Sequence, residues 1–403
     1  MKVLLVGTLD TKGQEFAFLK ELLLKKGVEC LVADAGALGE PSFKPDISRR
    51  ELFLAGGTTL EKVLLENDRG KAVEAATKGI SQIALRLYQE GKIAGLLGMG
   101  GSAGTTIATA AMRALPFGIP KIMVSTLASG QVRPFVGVKD ITMIHSVVDI
   151  SGINRISRVV IANAACAMAG MLQGVQLPEY TQKPVIGATM FGVTTPCVER
   201  ARKSLEEANL ETMVFHATGT GGATMESFIQ DGLIQGVLDI TTTELADELV
   251  GGILSAGKER LTAASIAGIP QVISVGALDM VNFGPKETVP EKFRHRLFHV
   301  HNANVTLMRT TPEENDALGK EIAWKASAAR GPVVVMFPLK GISALDAPGK
   351  PFWCPEANKA LLDSLKLWIL PEIPVLELDY HINDTAFADA CASQLLRMLA
   401  RQA

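Results

Sequence analysis

One feature constrains this chain above all: a short apolar run, a loop rich in glycine and hydroxyl side chains, then a segment of helical period, repeated along its length. Residues 3–6 lead into Gly7-Thr8-Leu9-Asp10-Thr11-Lys12-Gly13. An amphipathic stretch over 15–26 follows, closed by Gly27, and then a second apolar run over 29–33. Continuous apolar strands alternating with helices predict a parallel sheet covered on both faces. Aromatic residues make up only 5% while Ala and Gly abound, a composition suited to close packing of helices on sheets.

The rhythm occurs twice. Gly91-Lys92-Ile93-Ala94-Gly95-Leu96-Leu97-Gly98 matches Gly232-Leu233-Ile234-Gln235-Gly236-Val237-Leu238-Asp239. Further on, Gly118-Ile119-Pro120-Lys121-Ile122-Met123-Val124 matches Gly268-Ile269-Pro270-Gln271-Val272-Ile273-Ser274. The opening strand, loop, helix and strand have counterparts at 185–189, 191–196, 198–207 and 212–215, in the same order. A shared β-α-β template is the competing account of these matches. A chain of 403 residues also exceeds what one core organises. The expectation is an α/β protein of two Rossmann-like, doubly wound parallel-sheet domains related by an internal repeat. They span residues 1–180 and 181–403, with a ligand cleft between them.

Charge narrows the partners. Forty Lys plus Arg against 42 Asp plus Glu leave a net charge of -2, no footprint for DNA or an anionic membrane surface. The uncharged stretch over 93–112 is broken by glycines, and that over 159–178 by Asn163, Gln173, Gln176 and Pro178. Neither reads as a membrane-spanning helix. No signal-peptide pattern follows Met1-Lys2, and five scattered cysteines without C-x-x-C suit a reducing compartment. A cytoplasmic location is expected.

In open parallel sheets, ligands sit beyond the C-terminal strand ends, which ranks the loops. Gly100, Gly101, Ser102, Gly104 and Thr105 lie between an apolar strand and an Ala-rich helix. Glycines there let a helix N-terminus approach a phosphate or carboxylate closely. Thr8, Asp10, Thr11 and Lys12 form a second loop, in which Asp10 suits Mg²⁺ or a helix cap and Lys12 a phosphate. Asp34 and Gly36 end the second strand, where an acidic residue meets ribose hydroxyls, and Ser125 opens a third hydroxyl-rich loop. These residues are read as nucleotide-binding.

The second half supplies its own set. Thr194 and Thr195, then Gly219, Gly221, Gly222 and Thr242, then Arg309, are read as substrate-binding. His216, Glu244 and Asp279 are its titratable groups at strand ends, read as catalytic. A purely structural role competes for His216. Cys197 at a helix start is either a packing residue or, with His216, a nucleophile. His295, His299 and His301 share no single geometry, so no metal site is assigned.

Taken in order, Gly7–Lys12, Gly100–Thr105, Gly187–Val198, Phe215–Glu226, Asp239–Glu244, Pro270–Gly284, Asn302–Thr311 and Gly341–Pro355 resemble a known family. It is a widespread uncharacterised bacterial family that shares the N-terminal ATP-binding domain of the tomato mosaic virus resistance protein. The resemblance implies two Rossmann-like subdomains, ATP with Mg²⁺ as its counter-ion, and self-association as a homodimer or higher homo-oligomer. In the plant relative the domain binds a viral replication protein and a TIM barrel follows it. The sequence ends at Ala403, so the barrel is expected, if anywhere, in a separate partner protein. Two functions compete. One is an enzyme that holds Mg-ATP on the glycine-rich loops and acts on a small anionic metabolite in the cleft. The other is a nucleotide-binding interaction protein whose target is a protein partner.

Overall fold

The apolar runs become strands, and the computed structural model describes them within residues 2–174 and 183–401. The chain divides into two units, Met1–Glu179 and Tyr180–Ala403. In the first, β1 (Lys2–Gly7) leads to α1 (Leu9–Lys25) and β2 (Cys30–Asp34). Three helices follow: α2 (Arg49–Ala55), α3 (Leu60–Glu66) and α4 (Arg69–Gln89). Next come β3 (Ile93–Gly100), α5 (Ser102–Ala114), β4 (Lys121–Ser125), α6 (Arg133–Val136), β5 (Thr142–His145) and α7 (Arg155–Gln173). The strands form one parallel sheet in the order β2-β1-β3-β4-β5.

Alternation along β1 divides the core in two. Leu4 and Val6 pack with Ile80 and Ile83 of α4 and Ala108 and Met112 of α5. Val3 and Leu5 face the other way, onto Phe16 and Leu19 of α1 and Met168 of α7. Both faces of the central strands are covered, so β1 runs apolar from Val3 to Val6 without alternation. By length and composition α7 is apolar enough to cross a membrane. Its Ile161, Ala164, Ala165 and Met168 are buried in this core.

The second unit begins β6 (Val185–Met190), α8 (Thr195–Glu207), β7 (Glu211–His216), α9 (Thr220–Gln230), β8 (Gly236–Thr241), α10 (Thr243–Val250), α11 (Ala263–Ala267) and β9 (Gln271–Gly276). It continues β10 (Met280–Phe283), β11 (Phe298–Asn302), β12 (Val305–Arg309), α12 (Pro312–Ser327), β13 (Val333–Pro338), α13 (Pro355–Trp368), β14 (Val375–Leu378) and α14 (Thr385–Leu399). The order β14-β13-β9-β8-β6-β7 is parallel throughout. Ile186 and Ala188 pack on α8 and α14 through Val198, Ala201, Phe387 and Leu395. On the other face, Ile273, Val335 and Phe337 meet Leu318 and Ile322 of α12 and Leu361 of α13.

Read from β7, the second sheet has the order of the first with one strand added. Ile93–Gly100 and Gly236–Thr241 are each third in their unit, and Lys121–Ser125 and Gln271–Gly276 each fourth. The order is the flavodoxin type, 2-1-3-4-5, rather than the 3-2-1-4-5-6 of a classic Rossmann domain. One element departs from the expected all-parallel plan. The strands β10, β12 and β11 form a separate antiparallel sheet, and His299 and His301 lie on its outer strand β11.

Candidate functional site

In a 2-1-3-4-5 sheet the crossover direction reverses between β1 and β3, which opens a crevice at their C-terminal ends. A cavity of about 530 Å³ lies there in the first unit. Thr8, Asp10, Thr11 and Lys12 line it from the loop after β1, and Gly101, Ser102, Ala103 and Gly104 from the loop after β3. Gly7 is obligatory behind the first loop, because a Cβ there would stand 2.0 Å from the Phe16 ring. That volume falls in the range of small-molecule sites.

The start of α5 is open to a ligand. The side chains of Ser48, Thr59 and Asp68 cap α2, α3 and α4, whereas Gly101 caps α5 with no side chain at all. The N–H of Thr105 bonds the carbonyl of Gly101 at 2.8 Å. Those of Ser102, Ala103 and Gly104 have no protein acceptor among the described residues. Three free donors and a helix dipole converge on the cavity. Cations stand nearby: Lys12, whose Nζ donates to the carbonyl of Ile150, and Arg69, which has no acidic partner among the described residues.

Asp10 is held by the loop after β2: its Oδ2 accepts from the N–H of Leu38 (2.8 Å) and Gly39 (3.3 Å). Its Oδ1 is buried without a hydrogen-bond partner. An orphaned carboxylate oxygen at a cavity wall fits a divalent cation, and Mg²⁺ needs only one or two protein carboxylates beside phosphate. Asp149 lines the same cavity, on a loop fastened to α1 through Lys12 and through Glu15, whose Oε1 accepts from the N–H of Gly152 at 2.6 Å. Apolar side chains line the cavity as well: Leu38, Val63, Leu64, Ala72, Val73 and Ile107.

Other residues read from sequence as nucleotide-binding point elsewhere. Thr105 and Ser125 are buried and bond each other, Oγ1 to Oγ at 2.7 Å, which ties α5 to the end of β4. Asp34 is buried, its Oδ1 accepting from the N–H of Leu9 (3.0 Å) and Gly36 (2.9 Å). Burial raises its pKa against those two bonds. Gly36 lies against the Asp10 carboxylate, where a Cβ would come within 2.6 Å of it. Gly100 backs the cavity from β3, where a Cβ would come within 2.9 Å of the Gly104 Cα. The sequence reading passed over Val63, Asn67, Asp68, Arg69 and Asp149, which line the cavity from α3, α4 and the loop after β5. The Asn-Asp-Arg-Gly run at 67–70, a helix boundary, was the available signal.

In the second unit most of the expected ligand groups bind each other. The N–H groups of Gly219 (2.7 Å) and Gly222 (3.1 Å) both donate to Glu244 Oε1. The glycine loop read as substrate-binding therefore holds the chain's own carboxylate. Glu244 Oε2 accepts from Arg260 Nε at 2.7 Å, and the same guanidinium reaches Asp239 (2.6 and 2.7 Å) and Glu226 (3.2 Å). Burial works against the charge on Arg260, yet the three carboxylates hold its pKa well above its ordinary range. Burial raises the pKa of Glu244. Gly221 packs on the His216 carbonyl, which would stand 1.9 Å from a Cβ.

Thr194 is buried and bonded to Thr241 (2.7 Å), Thr195 donates to the Phe191 carbonyl (3.2 Å), and Thr242 to that of Ser274 (3.0 Å). Arg309 is buried and spends its donors on the carbonyls of Phe352 and Asp279 and on Thr310. Asp279 lies beneath it, accepting from Ser343 Oγ at 2.7 Å, so Glu244 and Asp279 belong to two separate buried networks. His216 alone of the three catalytic candidates is exposed, its ring edge against Phe191. Cys197 is buried, which pushes its thiol up to about 12 and removes it as a nucleophile. Among the described residues no three His, Cys, Asp or Glu side chains form a metal cage.

Fold and site thus define a two-unit α/β protein with a cavity of mixed polar and apolar lining at the switch point of its first sheet. The chain belongs to the Uncharacterised protein family UPF0261: the family's N-terminal domain matches residues 1–177 and its C-terminal domain residues 183–399. A UPF0261 protein of Clostridium tetani is 52% identical over 400 residues, covering 99% of each chain. The ToMV resistance protein Tm-1(GCR237) of Solanum lycopersicum is 41% identical over 422 residues, 98% of this chain and 56% of that one. Among solved structures, a UDP-N-acetylglucosamine 2-epimerase from Rickettsia bellii aligns at 11% identity over 100% of this chain and 96% of that one. The TM-score of that alignment is 0.24.

Proposed function

We propose that the first unit is a nucleotide-binding domain that holds ATP with Mg²⁺ in the cavity between β1 and β3. The observation that carries this reading is the presence of two unlike sets of groups around one cavity. One set offers three unclaimed helix N–H groups, Lys12, Arg69 and the hydroxyls of Thr8, Thr11 and Ser102. That set suits a polyphosphate. The other, from Leu38 through Val63 and Leu64 to Val73, suits the flat apolar base. Asp10 Oδ1, aided by Asp149, would hold the Mg²⁺ that neutralises the phosphates.

A second use of the nucleotide, to organise a protein-binding surface, is favoured by Leu38, which lines the cavity yet is 82% exposed. Calorimetric titration of the chain with Mg-ATP tests the reading. Saturable binding is expected, weakened at least about tenfold in Arg69→Ala, a change at an exposed helix start that leaves folding intact. Absence of saturable binding in the parent overturns it.

A further inference from the structure

We propose that a second cavity beside the first is an acceptor subsite for a small hydroxyl compound or water, with His145 as the base that takes its proton. The inference rests on the nucleotide reading above. The cavity, about 320 Å³, is lined by Thr126, His145, Ser146, Val147, Val148 and Asp149, at the C-terminal ends of β4 and β5. It shares Asp149 with the first cavity. Thr126 Oγ1 lies 3.8 Å from the point where a Cβ on Gly101 would stand, so the second cavity meets the first at the cap of α5. That cap is where the terminal phosphate would rest.

The chemistry of the lining selects the guest. No Lys or Arg contributes to it, so nothing there recognises a second phosphate or carboxylate. Hydroxyls, one carboxylate and one imidazole suit a neutral hydroxyl group. The His145 imidazole is exposed and makes no hydrogen bond or ion pair among the described residues. Its chain direction is fixed by an unusual turn. Buried Ser146 donates its Oγ to the carbonyl of Val148 at 2.7 Å, and the N–H of Val148 returns to the carbonyl of Ser146 at 2.7 Å. Between them Val147 has φ +65°, a conformation that β-branched residues avoid. Such strain concentrates at functional sites, where the surroundings over-determine it.

The step balances as a phosphoryl transfer. The acceptor oxygen forms a bond to the terminal phosphorus as the bond from phosphorus to the bridging oxygen breaks. The electron pair of that bond leaves with the nucleoside diphosphate. The acceptor's proton passes to a ring nitrogen of His145 and then to solvent. With an alcohol the product is a phosphomonoester, and with water it is inorganic phosphate.

The test uses the full chain with Mg-ATP, with and without glycerol as acceptor probe, and His145→Gln beside the parent. Nucleotide affinity is measured in parallel with a fluorescent ATP analogue. The parent should release ADP, forming glycerol phosphate when glycerol is present and phosphate alone without it. His145→Gln should lower turnover about 100-fold or more while affinity stays within about twofold. If the parent binds nucleotide but releases no ADP under either condition, or if His145→Gln turns over undiminished, the acceptor subsite falls and the nucleotide reading stands. If the parent binds no nucleotide, both fall.

Discussion

At the scale of single residues, the proposed phosphate site depends on what Gly101 lacks. Its φ of −80° is one any residue adopts, and a Cβ there would meet nothing closer than Thr126 Oγ1 at 3.8 Å. A side chain at this position therefore enters the cavity without disturbing the fold. Gly101→Val should change unfolding free energy by less than about 0.5 kcal/mol, as surface substitutions usually do. It should nevertheless weaken Mg-ATP binding at least about 100-fold, because the side chain stands where phosphate approaches the α5 N–H groups. Melting temperature and calorimetric affinity measured on one preparation decide the matter. Undiminished affinity places the phosphates elsewhere. Gly7 behaves oppositely, since any Cβ there collides with Phe16.

At the scale of elements, the ends of β9 and β12 are joined to the Gly341–Asp346 segment by a buried network. Asp279 accepts from Ser343 Oγ, and Arg309 lies over it with Asp346 at 3.9 Å. Burial is the largest influence on Asp279; Arg309 opposes it and Asp346 adds to it, and the carboxyl is pushed up to about 7. In the unfolded chain an Asp titrates near 3.9. Between those values the folded protein binds more protons than the unfolded chain, so stability falls as pH rises from about 4 through 7 and stays reduced above. Asp247, also pushed up to about 7 by burial, acts in the same sense. Asp279→Asn keeps an acceptor for Ser343 and cannot ionise. Urea unfolding at pH 5 and pH 8 should show the parent losing at least about 1 kcal/mol between them and the variant losing less. Equal losses in both proteins remove Asp279 from the account. How much was legible in sequence also divides by element. The parallel strands and the β1 and β3 loops show as apolar runs followed by glycine and hydroxyl residues. The antiparallel sheet does not, because Pro285, Pro290 and the charges between them read as irregular chain. Arg260 sits in Gly257-Lys258-Glu259-Arg260, a surface-like run, and only the fold shows three distant carboxylates converging on it. Hydroxyl direction was equally hidden: Thr105 and Ser102 look alike in the glycine loop, but helical geometry turns Thr105 inward to Ser125 and leaves Ser102 exposed.

At the scale of the whole molecule, the two units share the strand order 2-1-3-4-5, extended by one strand in the second. The matched glycine-containing segments of the sequence fall on equivalent strands, so the repeat is one of topology as well as composition. In the first unit the helix after the third strand starts from Gly101 with three unclaimed N–H groups. In the second, the helix after the third strand starts Thr243-Glu244, and Glu244 is drawn inward to Arg260 and to the N–H groups of Gly219 and Gly222. In the second unit the N–H groups of Gly219 and Gly222, at the start of the helix after the second strand, are satisfied internally by Glu244. Nucleotide binding should therefore belong to the first unit alone. Every residue lining its cavity lies between Thr8 and Asp149, and its strands and helices build their own two-faced core. A fragment of residues 1–177 should fold and bind Mg-ATP with affinity within about threefold of the full chain, since the cavity needs no residue beyond Asp149. A fragment of residues 183–403 should fold and bind none. Calorimetry on the full chain should give one nucleotide per polypeptide. Two per polypeptide, or saturable binding by the second fragment, would show that the Arg260 network yields to a ligand and that the units are equivalent in use as well as in topology.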